Sequence, residues 1–182
     1  GKINSELVSL INKEGGKAVG LSGKDGPLFF GEKLNSPEYE KLGFVGDIDK
    51  VDDTIITTLS GHGYIPVISS IGQSKDFQSL NMNADHVAES IATALKALKL
   101  IFLTDVKGLL IHKELQQELA LEEAKKLLAH PDVKGGMLPK LTCAIRAIEN
   151  EVSHVHIING TIEHAVLLEL FTDSGIGTMV TN

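Results

Sequence analysis

Leu80-Asn81-Met82-Asn83-Ala84-Asp85 is the stretch on which the reading of this chain turns. Two amides and a carboxylate crowd a short loop. Directly after it, Ala84, Val87, Ala88, Ile91, Ala94, Leu95 and Leu98 recur at three- and four-residue steps. That spacing predicts one buried helical face running to about Leu98. Asn83 suits the N-cap, because its short amide can accept from the first free backbone N–H groups, and Asp85 then falls in the first turn, where the helix dipole favours a carboxylate. A cap needs one short polar side chain, and here there are three. The surplus predicts a polar ligand at a strand-to-helix junction.

Outward from this motif, apolar runs and periodic segments alternate. Before it, Tyr64 to Ile71 is a continuous apolar run and reads as a central strand. After it, Leu98 to Thr104 reads as a second buried strand, with Leu109 to His112 as a weak continuation. Towards the amino terminus, Ile3 to Lys13 reads as a helix with Leu7, Val8, Leu10 and Ile11 inward, and Lys17 to Ser22 as a short buried strand. Pro27 to Leu34 and Gly43 to Val51 read as an antiparallel hairpin around a polar turn, and Asp52-Asp53 as the cap of a helix carrying Ile55, Ile56 and Leu59. Towards the carboxyl terminus, Leu121 to Ala129 and Met137 to Asn150 read as helices. The second has Leu138, Leu141, Ala144, Ile145 and Ile148 as its inner stripe. A strand at Val155 to Ile158, a helix at Ile162 to Phe171 and a last strand at Gly177 to Val180 complete the pattern. Buried strands alternating with helices predict an α/β fold with a mainly parallel sheet covered on both faces. The seam is expected near Ala97 to Lys99, giving domains 1–98 and 99–182.

The 182 residues suffice for one or two small domains, and 42% hydrophobic with 23% charged residues is ordinary for a globular chain. A net charge of −7 argues against a nucleic-acid surface or an anionic membrane face, though local lysines and backbone amides can still bind phosphates. The single cysteine, Cys143, rules out an internal disulfide framework and fits a reducing, cytoplasmic compartment. No run approaches a membrane span, and no basic-then-apolar signal opens the chain. The chain begins Gly-Lys-Ile-Asn without Met and already in a helical pattern, so a fragment is expected.

Neither phosphate-loop signature occurs, and Gly20-Leu21-Ser22-Gly23 has the wrong spacing for a nucleophile elbow. No metal site is expected: His154 and His156 share a strand face, yet no third ligand lies nearby in sequence. Thr104-Asp105-Val106-Lys107-Gly108 falls at the carboxyl end of a buried strand, where open α/β sheets place ligands. Gly135-Gly136-Met137-Leu138-Pro139-Lys140 puts a lysine in the first turn of a helix behind a glycine pair, a positive focus for a migrating phosphoryl group. Asp85 could fix the orientation of that lysine, while Asn81 and Asn83 hold an acceptor.

Several stretches, in order, resemble the acetylglutamate kinases of the amino acid kinase superfamily. They are Gly1-Lys2-Ile3-Asn4 with Leu7-Val8-Ser9-Leu10-Ile11-Asn12, Ala18-Val19-Gly20-Leu21-Ser22-Gly23-Lys24-Asp25-Gly26, Leu42-Gly43-Phe44-Val45-Gly46, Tyr64-Ile65-Pro66-Val67-Ile68, Asn81-Met82-Asn83-Ala84-Asp85, Leu103-Thr104-Asp105-Val106, Gly135-Gly136-Met137-Leu138-Pro139-Lys140 and Leu168-Glu169-Leu170-Phe171-Thr172-Asp173. The resemblance implies a three-layer α/β/α sandwich, with an amino-terminal lobe for acetylglutamate and dimerisation and a carboxyl-terminal lobe for ATP. It implies transfer of the ATP γ-phosphoryl group to the side-chain carboxylate of N-acetyl-L-glutamate, in arginine biosynthesis, with Mg2+ arriving on the nucleotide. By resemblance, Asn81 and Asn83 contact the substrate, Asp85 organises the catalytic lysines, and Lys140 stabilises the transition state. On the same ground Asp105, Val106, Lys107, Gly108, Leu109, Leu110, Asp132, Val133 and Lys134 contact the nucleotide, and His164, Glu169 and Gly175 mark an L-arginine effector site. A homo-oligomer, dimer or larger, is also implied. Two departures are visible. The family's glycine-rich first strand with a second catalytic lysine is not among these residues, and Asn159-Gly160-Thr161 stands where the family tends to have Asp-Gly-Arg. Three readings follow: an acetylglutamate kinase polypeptide, another amino acid kinase, or a catalytically silent ATP- or arginine-binding domain.

Overall fold

The computed structural model describes residues 1–34, 44–172 and 175–182. The chain forms two compact units, Gly1–Ala94 and Leu95–Asn182.

In the first unit α1 (Lys2–Lys13) packs against the parallel pair β1 (Ala18–Ser22) and β4 (Ile65–Ser69), whose register aligns Ala18 with Ile65 and Ser22 with Ser69. Asn4 ties helix to sheet by donating from Nδ2 to the Val67 carbonyl at 2.7 Å. None of the α1 residues is buried. The expected inward face therefore needs correction: Val8 and Ile11 are half-covered, whereas Leu7 and Leu10 are exposed.

The remaining strands of this unit close into a small barrel, with β2 (Phe29–Lys33), β3 (Val45–Val51), β6 (Ser79–Met82) and β5 (Ile71–Gln73) in that order. The hairpin read from sequence is present, since β2 and β3 pair antiparallel, with a register shift between Phe30 and Gly31. Its expected turn and Gly43 lie outside the described residues. Leu28, Phe29, Leu80 and Met82 fill the barrel core. A Cβ at Gly72 would lie 2.8 Å from the Phe29 ring, so the ring needs glycine there. The apolar run at Tyr64 to Ile71 is not one central strand. It breaks at Ser70, and β4 joins β1 while β5 joins the barrel, because the two halves pair with different partners. Between them in sequence, α2 (Thr54–Gly61) is held at its start by the Asp52 carboxylate, which accepts from the Thr54 N–H at 3.1 Å; Asp53 occupies the N-cap position without using its side chain. The unit ends in α3 (Ala84–Ala94), which buries Val87, Glu89 and Ala92. The helix stops short of Leu98, which is exposed.

The second unit is built on a four-stranded sheet containing β7 (Lys99–Thr104), β10 (Glu118–Ala120), β11 (His154–Asn159) and β12 (Thr178–Thr181), ordered β10-β12-β11-β7. β11 runs parallel to β7 and antiparallel to β12. Along β11, Val155, His156, Ile157 and Ile158 are all buried, as expected of a strand covered on both faces. α4 (Leu121–Leu127), α5 (Met137–Glu149) and α6 (Ala165–Phe171) flank the sheet. In α5 the predicted stripe holds at Leu141, Ala144, Ile145 and Ile148, joined by Cys143 and Ala147. Leu138 is 40% exposed, because it lies in the first turn, ahead of the sheet contact. Leu109 to His112 does not continue β7. The chain turns at Gly108 and forms a separate hairpin of β8 (Leu110–Ile111) and β9 (Glu114–Leu115). Parallel and mixed sheet with covering helices makes this an α/β protein.

Candidate functional site

In the first unit β6 delivers the motif to the start of α3. Leu80 and Met82 point into the barrel, so the intervening Asn81 is left exposed, its backbone N–H donating to the Phe44 carbonyl at 2.8 Å. Asn83 is the helix cap: its Oδ1 accepts from the N–H groups of Asp85 at 2.8 Å and His86 at 3.3 Å. The oxygen is thereby used, and the amide nitrogen is the part of Asn83 able to donate to a ligand. Asp85 lies in the first turn of α3, where the oriented peptide dipoles favour its negative charge. Beside it, His86 Nδ1 lies 3.1 Å from Asp47 Oδ1, and Lys24 Nζ donates to Ser79 Oγ at 2.9 Å at the head of β6. Asn81, Asn83 and Asp85 are thus brought to one polar strand-to-helix junction.

In the second unit the parallel strands β7 and β11 end together, with Thr104 paired to Asn159 and the Gly160 N–H donating to the Thr104 carbonyl at 2.8 Å. Asp105, Val106, Lys107 and Gly108 leave from this carboxyl edge. Gly108 has φ of +143°, and a Cβ on it would meet Thr178 Oγ1 at 2.7 Å and Leu115 Cδ1 at 2.8 Å. The same Thr178 hydroxyl accepts from the Leu109 N–H at 2.8 Å, so the chain is pinned as it enters β8. Of the residues expected to touch nucleotide, Leu109 and Val133 are buried and serve the core, while Asp105, Val106, Lys107, Leu110, Asp132 and Lys134 are exposed. Gly136 begins α5, and Lys140 sits within its first turns, half-buried, with Nζ 5.8 Å from the centroid of the Phe102 ring on β7. Asn159 closes its own turn, its Oδ1 accepting from the backbone N–H and hydroxyl of Thr161.

His164 and Gly175 flank α6, each with a left-handed φ of 59°. Glu169, between them, is buried. Its Oε2 accepts from the N–H groups of Ile176 at 2.6 Å and Gly177 at 3.0 Å, and Oε1 lies 2.7 Å from His156 Nδ1. Both carboxylate oxygens are engaged inside the unit. Asp173 lies outside the described residues.

One cluster has no counterpart in the sequence reading. His112, at the tip of the β8–β9 hairpin, meets His130 and Asp132 from the turn after α4. Their separation of about twenty residues hides the proximity, and left-handed φ values of 51° at His112 and 68° at Lys113 create it. Asp132 Oδ2 accepts from the His112 backbone N–H at 2.7 Å. That hydrogen bond holds the Asp132 carboxyl below the usual carboxylate range. Burial works the other way, and the neighbouring His130, His112 and Lys134 add to the lowering. Among the described residues no helix is long and apolar enough to cross a membrane.

These features can be set beside known proteins. A model of the amino acid kinase family matches residues 1–159. The chain is 50% identical over 182 residues to an acetylglutamate kinase of Kosmotoga olearia, covering 100% of this chain and 64% of that protein. It is 51% identical over 185 residues to an acetylglutamate kinase of Caldanaerobacter subterraneus, covering 99% and 61%. The chain therefore spans less than two thirds of the length of these curated relatives. Among solved structures, an N-acetylglutamate synthase of Neisseria gonorrhoeae, complexed with coenzyme A and N-acetyl-glutamate, superposes with a TM-score of 0.81 at 26% identity, over 91% of this chain and 38% of that one. A Streptococcus mutans protein gives 0.80 at 26% identity, over 97% and 66%. With the matched residues reaching into both units, this chain belongs to the amino acid kinase family.

Proposed function

We propose that this chain forms part of an acetylglutamate kinase, which moves the γ-phosphoryl group of ATP to the side-chain carboxylate of N-acetyl-L-glutamate in arginine biosynthesis. The observation that carries this reading is the identity of about 50% to curated acetylglutamate kinases across the whole chain. A carboxylate oxygen of the acceptor attacks the γ-phosphorus, the bond from phosphorus to the bridging oxygen breaks, and ADP leaves with that electron pair. Such transfers ask a protein chiefly for positioning and for stabilisation of charge on the phosphoryl oxygens. Asn81 and the amide nitrogen of Asn83 suit the acceptor, and Asp85 suits the orientation of a catalytic ammonium group. Lys140, in the first turns of α5, adds its charge to that of a helix N-terminus. Asp105 to Leu110 and Asp132 to Lys134 suit the nucleotide. A magnesium ion would arrive on the nucleotide, held chiefly by phosphates and water, because Mg2+ dehydrates reluctantly and keeps several waters.

His164 and Gly175 remain the residues proposed for an arginine effector, whereas Glu169 would have to exchange its internal partners to join them. A homo-oligomer in the cytoplasm completes the proposal. The second reading is a domain that binds ATP or arginine without turnover; its support is a synthase complexed with coenzyme A and L-arginine, which superposes with a TM-score of 0.77 over 91% of this chain. Coupled ADP release by the full-length gene product separates the two. Turnover with acetylglutamate, but not with glutamate or aspartate, supports the kinase. Calorimetric binding of ATP or arginine without ADP release supports the silent domain.

A further inference from the structure

We propose that His112, His130 and Asp132 form a binding site for a transition-metal dication of the zinc type, which ties the β8–β9 hairpin to the turn after α4. One ligand atom from each residue lies within 4.8 Å of the others. The imidazole Nδ1 atoms of His112 and His130 each stand 3.9 Å from Asp132 Oδ2, and the two rings meet edge to face with centroids 5.2 Å apart. A tetrahedral ion with bonds of about 2.0–2.2 Å holds its ligand atoms about 3.3–3.5 Å apart. The cluster therefore reaches coordination distance by small side-chain rotations, with no rearrangement of the chain.

The backbone prepares this geometry. The Asp132 carboxylate takes the His112 backbone N–H at 2.7 Å, which fixes the hairpin tip over the turn. His130 Nδ1 already presents its lone pair to this spot, accepting from the Asp132 N–H at 3.2 Å. That long hydrogen bond is the one an ion would displace. The donor set chooses the metal. Two imidazole nitrogens and one carboxylate oxygen suit Zn2+, Co2+ or Ni2+, whereas Mg2+ demands oxygen ligands in octahedral array. Three protein ligands leave one position of a tetrahedral ion open to water or to a phosphate oxygen. The cluster borders a cavity of ≈ 510 Å³ lined by Leu110, His112, Lys113 and Asp132, so an exogenous ligand has room to approach. The inference does not depend on the kinase reading, since it rests on the donor atoms alone.

The test is titration of the metal-free full-length protein with Co2+, followed by visible absorption, and with Zn2+ by calorimetry. The expected result is one ion per chain with the intense d–d bands of a four-coordinate site. His112→Asn, chosen because asparagine tolerates the left-handed φ, and His130→Ala should each weaken binding by at least about tenfold. His86→Ala, at the separate His86–Asp47 pair of the first unit, should leave the affinity unchanged. In the unsubstituted protein Zn2+ should protect His112 and His130 from acylation by diethyl pyrocarbonate. Equal affinity in all variants, absence of binding, or unprotected histidines would overturn the proposal.

Discussion

His156 Nδ1 lies 2.7 Å from Glu169 Oε1 inside the second unit, with the two side chains only 5% and 4% exposed. The sequence offered His156 as half of a strand-face pair with His154, yet its chemical partner sits on α6. Glu169 completes its shell with the N–H groups of Ile176 and Gly177, so one buried carboxylate joins β11, α6 and the approach to β12. Glu169→Gln keeps the shape and removes the charge. It should cost about 1.5–3 kcal/mol, the range for hydrogen bonds to a charged group, read from urea denaturation.

The same residue gives the unit an acid limit. Burial pushes its carboxyl up, but the Ile176 N–H, the His156 ring and the Gly177 N–H outweigh burial and hold it below its ordinary value. A group lowered in the folded state adds stability above its unfolded pKa, about 4.3 for glutamate, and loses that contribution as pH falls through the folded value. The melting temperature of the parent should therefore exceed that of Glu169→Gln by a constant margin at neutral pH. The margin should shrink below about pH 4. A margin independent of pH would show that the loss of one acceptor oxygen, not the loss of charge, carries the effect.

Asn83 caps α3 through one oxygen and two backbone N–H groups. Asn83→Ala should cost about 1 kcal/mol, and Asn83→Asp should restore most of it, since aspartate caps equally well. If Asn83 also donates its amide to the acceptor, Asn83→Asp should recover stability while KM for acetylglutamate stays raised. Denaturation and steady-state kinetics on the same two variants separate the roles.

Gly108 combines a φ of +143° with a Cβ position already claimed by Thr178 and Leu115. Gly108→Ala should destabilise the second unit by about 2 kcal/mol or more, from backbone strain and displaced contacts together. Thr178→Ser keeps the hydroxyl that accepts the Leu109 N–H and should be far milder. Thermal unfolding of both variants checks the order.

Lys140→Ala should lower kcat of the full-length enzyme by roughly a hundredfold, as expected when one electrostatic stabiliser of a transition state is removed. Its effect on KM for acetylglutamate should be small. An unchanged kcat would remove Lys140 from phosphoryl transfer.

The sequence by itself determined the elements whose stabilisation is local. The periodicity of α5, the Asn83 cap, the antiparallel β2–β3 hairpin and the doubly covered strand β11 follow from side-chain spacing and short-range hydrogen bonding. The motifs at Asn81 to Asp85 and Gly135 to Lys140 were legible for the same reason, being contiguous. Tertiary structure alone decided the pairings between distant segments. Tyr64 to Ile71 splits at Ser70 because β4 and β5 find different neighbours, a choice that apolar composition cannot encode. His112 meets His130, and His156 meets Glu169, only once left-handed turns and helix docking bring remote backbone together. Local preference is written residue by residue, whereas contact across the chain depends on which surfaces exclude water from each other.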